Sequence, residues 1–155
     1  MQHTDIFHPP LPNHPGEQIH WKKLQGASLG LALNNAILES AHPFLIIAPD
    51  SLAASHLIEE LHFFGDHAVG LHHFPDWETL PYDHFSPHQD IVSERLATLN
   101  RIGFLQSGAI ITTVDTLMHR LPPKDFIASH SFLLTVGEKL NIDILRTKLT
   151  NSGYH

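Results

Sequence analysis

Short apolar runs, each followed by a stretch of helical periodicity, restrict this chain more than any other feature. Phe44-Leu45-Ile46-Ile47-Ala48 is apolar throughout and ends at Pro49-Asp50-Ser51, and Ala109-Ile110-Ile111-Thr112-Thr113-Val114 has the same form. Runs of this length without alternation are expected of strands buried on both faces of a parallel sheet. Val69 to Phe74 reads as another strand. Before the first run, Leu29, Ala32, Leu33, Ala36 and Ile37 recur at helical spacing within Ala27 to Ser40, and the pattern stops short of Pro43. After it, Asp50 or Ser51 can cap a helix whose apolar stripe is Leu52, His56, Leu57, Ile58, Leu61 and Phe64, closed by Gly65.

The tetrad Ser86-Pro87-His88-Gln89 has the form of a capping box with proline at the first helical position. A helix is therefore expected from Ser86 to about Gly103, with Ile91, Val92, Leu96, Leu99 and Ile102 inward and Glu94, Arg95 and Arg101 outward. A short helix from Asp115 to Arg120, a break at Pro122-Pro123, a strand from Ser131 to Val136 and a helix from about Ile142 to Thr150 complete the pattern. Strand and helix alternate, so the expected class is α/β: a three-layer parallel sheet with helices on both faces and right-handed crossovers.

Three segments follow from this reading. Residues 1–16, rich in Pro and His without periodicity, form an arm that is extended on the surface or disordered. Residues 17–128 form the main domain, and 129–155 read as the truncated beginning of a second α/β domain. The chain has 155 residues, enough for one ordinary core. Lys plus Arg is 9 against 16 Asp plus Glu, a net charge of −7, which argues against a surface that grips nucleic-acid backbone by itself. No cysteine is present, so disulfides, thiolate metal sites and a cysteine nucleophile are excluded together. The apolar runs are far below the ~20 residues of a membrane span and the amino terminus lacks a secretory pattern, so a cytoplasmic location without membrane contact is expected.

Motifs for chemistry are weak. At the head of the first helix, where a nucleotide-binding domain would hold phosphates, stand Gly26, Ala27 and Ser28, but no Gly-Lys-Ser/Thr follows, and no lysine occurs between Lys23 and Lys124. Gly26-Ala27-Ser28-Leu29-Gly30 matches the spelling of a serine nucleophile elbow without a clear preceding strand, leaving a small hydrolase built on Ser28 as a minor alternative. The 15 histidines include no His-Glu-x-x-His, so no metal ligand set is assigned. The most distinctive stretch is the loop from Phe74 to Ile91, where Trp77, Glu78, Tyr82, Asp83 and Phe85 mix aromatics with acids. It reads either as a partner-binding surface or as a long loop pinned to the sheet by its own aromatics.

Asp76-Trp77-Glu78-Thr79-Leu80-Pro81-Tyr82-Asp83, continuing through Phe85-Ser86-Pro87-His88-Gln89-Asp90-Ile91 and Arg95-Leu96, closely resembles the amino-terminal region of transcription-repair coupling factors. Gly16-Glu17-Gln18, Ile47-Ala48-Pro49-Asp50, Val114-Asp115-Thr116-Leu117-Met118, Leu145-Arg146-Thr147 and Ser152-Gly153-Tyr154 follow the same order. The resemblance implies a degenerate P-loop NTPase fold similar to domain 1a of the repair protein UvrB, into which a UvrA-binding domain is inserted. Gln18 resembles the adenine-reading glutamine of such folds, yet it stands too close to Gly26 for the usual intervening helix. The resemblance also implies a full-length protein that displaces stalled RNA polymerase by ATP-driven translocation on DNA and recruits UvrA. ATP and Mg would serve only its motor domains, so this segment is expected to carry no cofactor or catalytic residue and to pack on other domains. The alternative is an ATP-binding fragment of a UvrB-like helicase.

Overall fold

The computed structural model describes residues 4–66, 69–79, 84–130, 136–137 and 139–151. These fall into two compact units, Met1–His119 and Arg120–His155. The first contains helix α1 (Ser28–Glu39), strand β1 (Phe44–Ala48), helix α2 (Ser51–Gly65), strand β2 (Leu71–His73), helix α3 (Gln89–Ile102), strand β3 (Ala109–Thr113) and helix α4 (Val114–Leu117). The second contains α5 (Lys124–His130) and α6 (Ile142–Asn151).

The sheet has the order β1-β3-β2 and both pairings are parallel. Phe44, Ile46 and Ala48 of β1 face the same way as Ala109 and Ile111 of β3 and Leu71 of β2, and α1 and α2 cover this face with Ile37, Ala54, Leu57 and Leu61. α3 lines β2. Its Arg101 acts on His72, which points away from Leu71 and so away from the α1–α2 layer; burial, then the charge of Arg101, lowers the pKa of His72. An α/β architecture with a parallel sheet is thus present.

The outer face of β1 departs from the expectation of burial on both sides: Leu45 and Ile47 remain 56% and 49% exposed. An apolar run specifies a strand, but burial of its second face depends on what packs there, and among the described residues no helix covers it. The third helix departs more sharply. Its first backbone bond runs from Val92 N to the His88 carbonyl, and His88 is the capping residue, accepting from Asp90 N at 3.3 Å. Ser86 and Pro87 lie outside the helix, so the capping box does not form. The inward face also turns: Arg95 and Thr98 are buried, whereas Leu96 and Ile102 are each 45% exposed. Tertiary anchors on the β2 side, described below, outweigh the apolar periodicity.

Local signals fare better where the chain needs only its neighbours. Asp50 Oδ1 accepts from Ala53 N at 2.8 Å and caps α2, and Asp66, with φ of 40°, takes the left-handed conformation after Gly65. The amino-terminal arm, where described, lies along the first unit. Trp21 Nε1 donates to the Pro10 carbonyl (3.0 Å), Asn35 Nδ2 to the Ile6 carbonyl (2.9 Å), and His8 meets Glu39 at 2.7 Å. In the second unit Asn141 Oδ1 accepts from Asp143 N and Ile144 N to cap α6. The break expected at Pro122-Pro123 is present between α4 and α5, and the unexpected helix α5 starts directly after it: Phe126 N and Ile127 N both donate to the Pro123 carbonyl. The strand expected at Ser131 to Val136 falls, but for Val136, outside the described residues, and Val136 stands in a turn.

α1 and α2 meet at Gly30, where an added Cβ would stand 2.6 Å from Glu60 Cβ and 2.5 Å from its Oε2. Gly→Ala ordinarily strengthens a helix by about 1 kcal/mol. Here overpacking of about 1–3 kcal/mol opposes that gain, so Gly30→Ala is expected to lower the urea midpoint. A raised midpoint would mean that the two helices are not in close contact at this point.

Candidate functional site

Two places at the carboxyl ends of the strands carry the residues singled out in the sequence. The first is the head of α1. Gly26 has φ of 54°, and the loop turns into the helix with no side-chain cap on its first amides. Ser28 Oγ accepts from Gln25 N at 2.7 Å and lies 2.8 Å from the Gln25 carbonyl, to which it donates. Among the described residues these are its hydrogen bonds, so neither histidine nor aspartate activates it as a nucleophile requires. Beside the loop lies a cleft of about 430 Å³ between α1, the end of β1 and α2. Leu29, Leu33, Ile47 and Leu57 line it, with His56 and Glu60 as its ionisable groups. A phosphate placed there meets a carboxylate in place of a lysine.

The second place is the loop after β2. Arg95 of α3, buried to 2% exposure, lies between Phe74 and Trp77, its guanidinium carbon 4.2 Å and 4.1 Å from the two ring centroids. It also donates to the Pro75 carbonyl. Burial lowers its pKa and the nearby Asp76 opposes that shift. Thr98 Oγ1 donates to the His73 carbonyl (2.8 Å) and Thr112 Oγ1 to the Phe74 carbonyl (3.0 Å), so this loop is tied to both α3 and β3. The structure therefore reverses the expectation that Arg95 faces solvent: two aromatic faces and a carbonyl supply what water would.

Asp76 reaches toward α4. Its Oδ1 accepts from Thr116 Oγ1 at 3.5 Å and lies 3.4 Å from His119 Nδ1, without hydrogen-bond geometry to the latter. Thr113 and Thr116 share a hydroxyl bond of 2.9 Å. Glu78 is exposed with φ of 56°, an uncommon conformation for a side-chain-bearing residue. Of the five loop residues picked out by sequence, Trp77 is half-buried on Arg95, while Glu78 and Phe85 are exposed. Tyr82 and Asp83 lie outside the described residues. Arg95, Asp76, Thr116 and His119 escaped the sequence reading. Among the described residues no group of three or more His, Asp or Glu is placed to hold a metal ion, and no helix is long and apolar enough to cross a membrane.

No family model matches the chain. It is 42% identical over 144 residues to the transcription-repair-coupling factor of Escherichia coli strain K12, covering 93% of this chain and 12% of that protein. It is 36% identical over 152 residues to the factor of Haemophilus influenzae, covering 97% and 13%. To that of Rickettsia bellii it is 29% identical over 131 residues. The chain spans about an eighth of the length of the first two relatives.

Proposed function

Because the chain belongs to the transcription-repair coupling factor family and matches the amino-terminal part of its members, we propose that it is the non-catalytic amino-terminal interaction module of such a factor. The full-length protein would displace stalled RNA polymerase by ATP-driven translocation on DNA and recruit UvrA to the lesion. This segment would contribute surfaces, not chemistry. The observation that carries the reading is identity along almost the whole chain to coupling factors of two bacteria. Its fold is read as a degenerate nucleotide-binding motor domain like domain 1a of UvrB. Support comes from the parallel order β1-β3-β2 and from the Gly26–Ser28 loop at the head of a helix beside the end of β1.

Nucleotide binding would need a cation on the phosphates and a hydroxyl for magnesium. Here Ser28 is engaged by Gln25, and Glu60 lines the cleft. Calorimetry of this chain with ATP and magnesium is therefore expected to give no binding below the millimolar range. Micromolar affinity would favour the alternative, an ATP-binding UvrB-like fragment.

The module reading is tested in the full-length factor from which the region corresponding to this chain is deleted. Displacement of stalled polymerase should persist while preferential repair of the transcribed strand is lost. Loss of displacement with the ATPase intact would assign this region to the motor instead.

A further inference from the structure

The cleft beside Gly26 has a feature that the module reading leaves unused. Its walls are apolar: Leu29 and Leu33 from α1, Ile46, Ile47 and Ala48 from β1, and Ala53 and Leu57 from α2. Glu60 brings a half-buried carboxylate into this lining, lying against Gly30 so closely that no Cβ would fit between them. Among the described residues no hydrogen bond or ion pair to that carboxylate is found. Among the described residues no lysine or arginine lines the cleft. Lysine is missing between Lys23 and Lys124, Arg95 is committed to Phe74 and Trp77, and Arg101 of α3 stands by His72.

A carboxylate in apolar surroundings gains most from a cation whose stem is itself apolar, because the stem excludes water while the head satisfies the charge. Phosphate is disfavoured by sign. A bare metal ion would find one carboxylate where several oxygen ligands are needed. We infer that this cleft is a receptor for an arginine or lysine side chain presented by a protein partner, its alkyl stem against Leu29, Leu33 and Leu57 and its charged head on Glu60. The inference rests on the reading of this site as one that has lost nucleotide binding. It adds that the site now takes the opposite charge. Leu29, 42% exposed, gives the partner's neighbouring apolar residues a place to bury. The chain's net charge of −7 favours a basic partner at longer range.

The test uses butylguanidinium as the probe, followed by amide chemical shifts of the 155-residue chain at pH 7.5 and low salt, with butylurea as its neutral counterpart. Butylguanidinium is expected to shift the amides of Gly26, Leu29, Ala53, His56 and Glu60 saturably, with a dissociation constant on the order of 10 mM for so small a ligand. Butylurea should bind at least about fivefold more weakly, Glu60→Gln should weaken butylguanidinium by a similar factor, and added salt should weaken it further. Leu29→Lys, which places the chain's own ammonium at the mouth, should abolish the shifts and serves should Glu60→Gln perturb the fold. Equal binding of urea and guanidinium, no effect of either substitution, or no saturable shift overturns the inference. ATP with magnesium is titrated in parallel. Shifts of the same amides by ATP would overturn the underlying loss of nucleotide binding, whereas silence of both ligands removes only the receptor for a basic side chain.

Discussion

Gly108→Ala is expected to destabilise the first unit by about 4 kcal/mol, a large share of the stability of a domain this size. Gly108 enters β3 with φ of 97°, where side-chain-bearing residues are strained, and a Cβ there would drive into the carbonyl oxygen of Gly70. The obstacle is backbone held on both sides. Ala109 N donates to that same Gly70 carbonyl at 2.9 Å, and Phe44 N donates to the Gly108 carbonyl at 2.8 Å. Relief would therefore break the entry of the central strand into both of its neighbours. Strain of about 1–3 kcal/mol at the backbone adds to overpacking of similar size, against a total stability of roughly 5–15 kcal/mol for a domain. Gly70→Ala is the control, since a Cβ at Gly70 has nothing within 4 Å and no left-handed backbone to oppose. Urea titration followed by circular dichroism should show Gly70→Ala within about 1 kcal/mol of the parent. Should the two variants share a midpoint, β3 does not thread between β1 and β2 in the way described.

The contrast between those glycines bears on how much of this molecule the sequence discloses. Features decided within a few residues are legible: the Asp50 cap, the end of α2 at Gly65, the extents of α1 and α6, and β1 and β3 as strands. Features decided by residues distant in sequence are not. Leu45 and Leu71 are equally apolar, and only the placement of the helices makes one exposed and the other part of the core. Pro122-Pro123 signals a break, and that a helix starts directly after it is shown only by α5.

The candidate site divides the same way. Gly26, Ser28 and Trp77 stand out by motif or by composition. Glu60 does not, because α2 offers two adjacent glutamates and only the approach of Gly30 brings one of them into the cleft. Asp76 and Thr116 are 40 positions apart and meet because parallel β2 and β3 end side by side. No spacing rule anticipates that contact.

Arg95 is the clearest case, and its replacement is the second large effect expected. Periodicity assigned it to solvent because charged residues usually go there. The face it occupies is nonetheless the packed one, shared with Thr98, and the loop from Phe74 to Trp77 folds over its guanidinium. Removing the charge forfeits two desolvated ring contacts, worth up to about 2 kcal/mol each, and a charge-assisted bond to Pro75 of about 1.5–3 kcal/mol. The energy recovered by leaving the cation in water, and the packing a methionine retains, offset part of this. Arg95→Met is accordingly expected to cost about 3 kcal/mol, and Arg95→Lys most of that, since an ammonium cannot stack flat against both rings. The loop supplies its own readout: in a Trp21→Phe background Trp77 is the only indole, and its emission should shift to the red and become more accessible to iodide. A double-mutant cycle with Trp77→Leu should return a coupling of about 1 kcal/mol or more. Additive losses, with Trp77 emission unchanged by Arg95→Met, would show that Arg95 does not hold the loop in place.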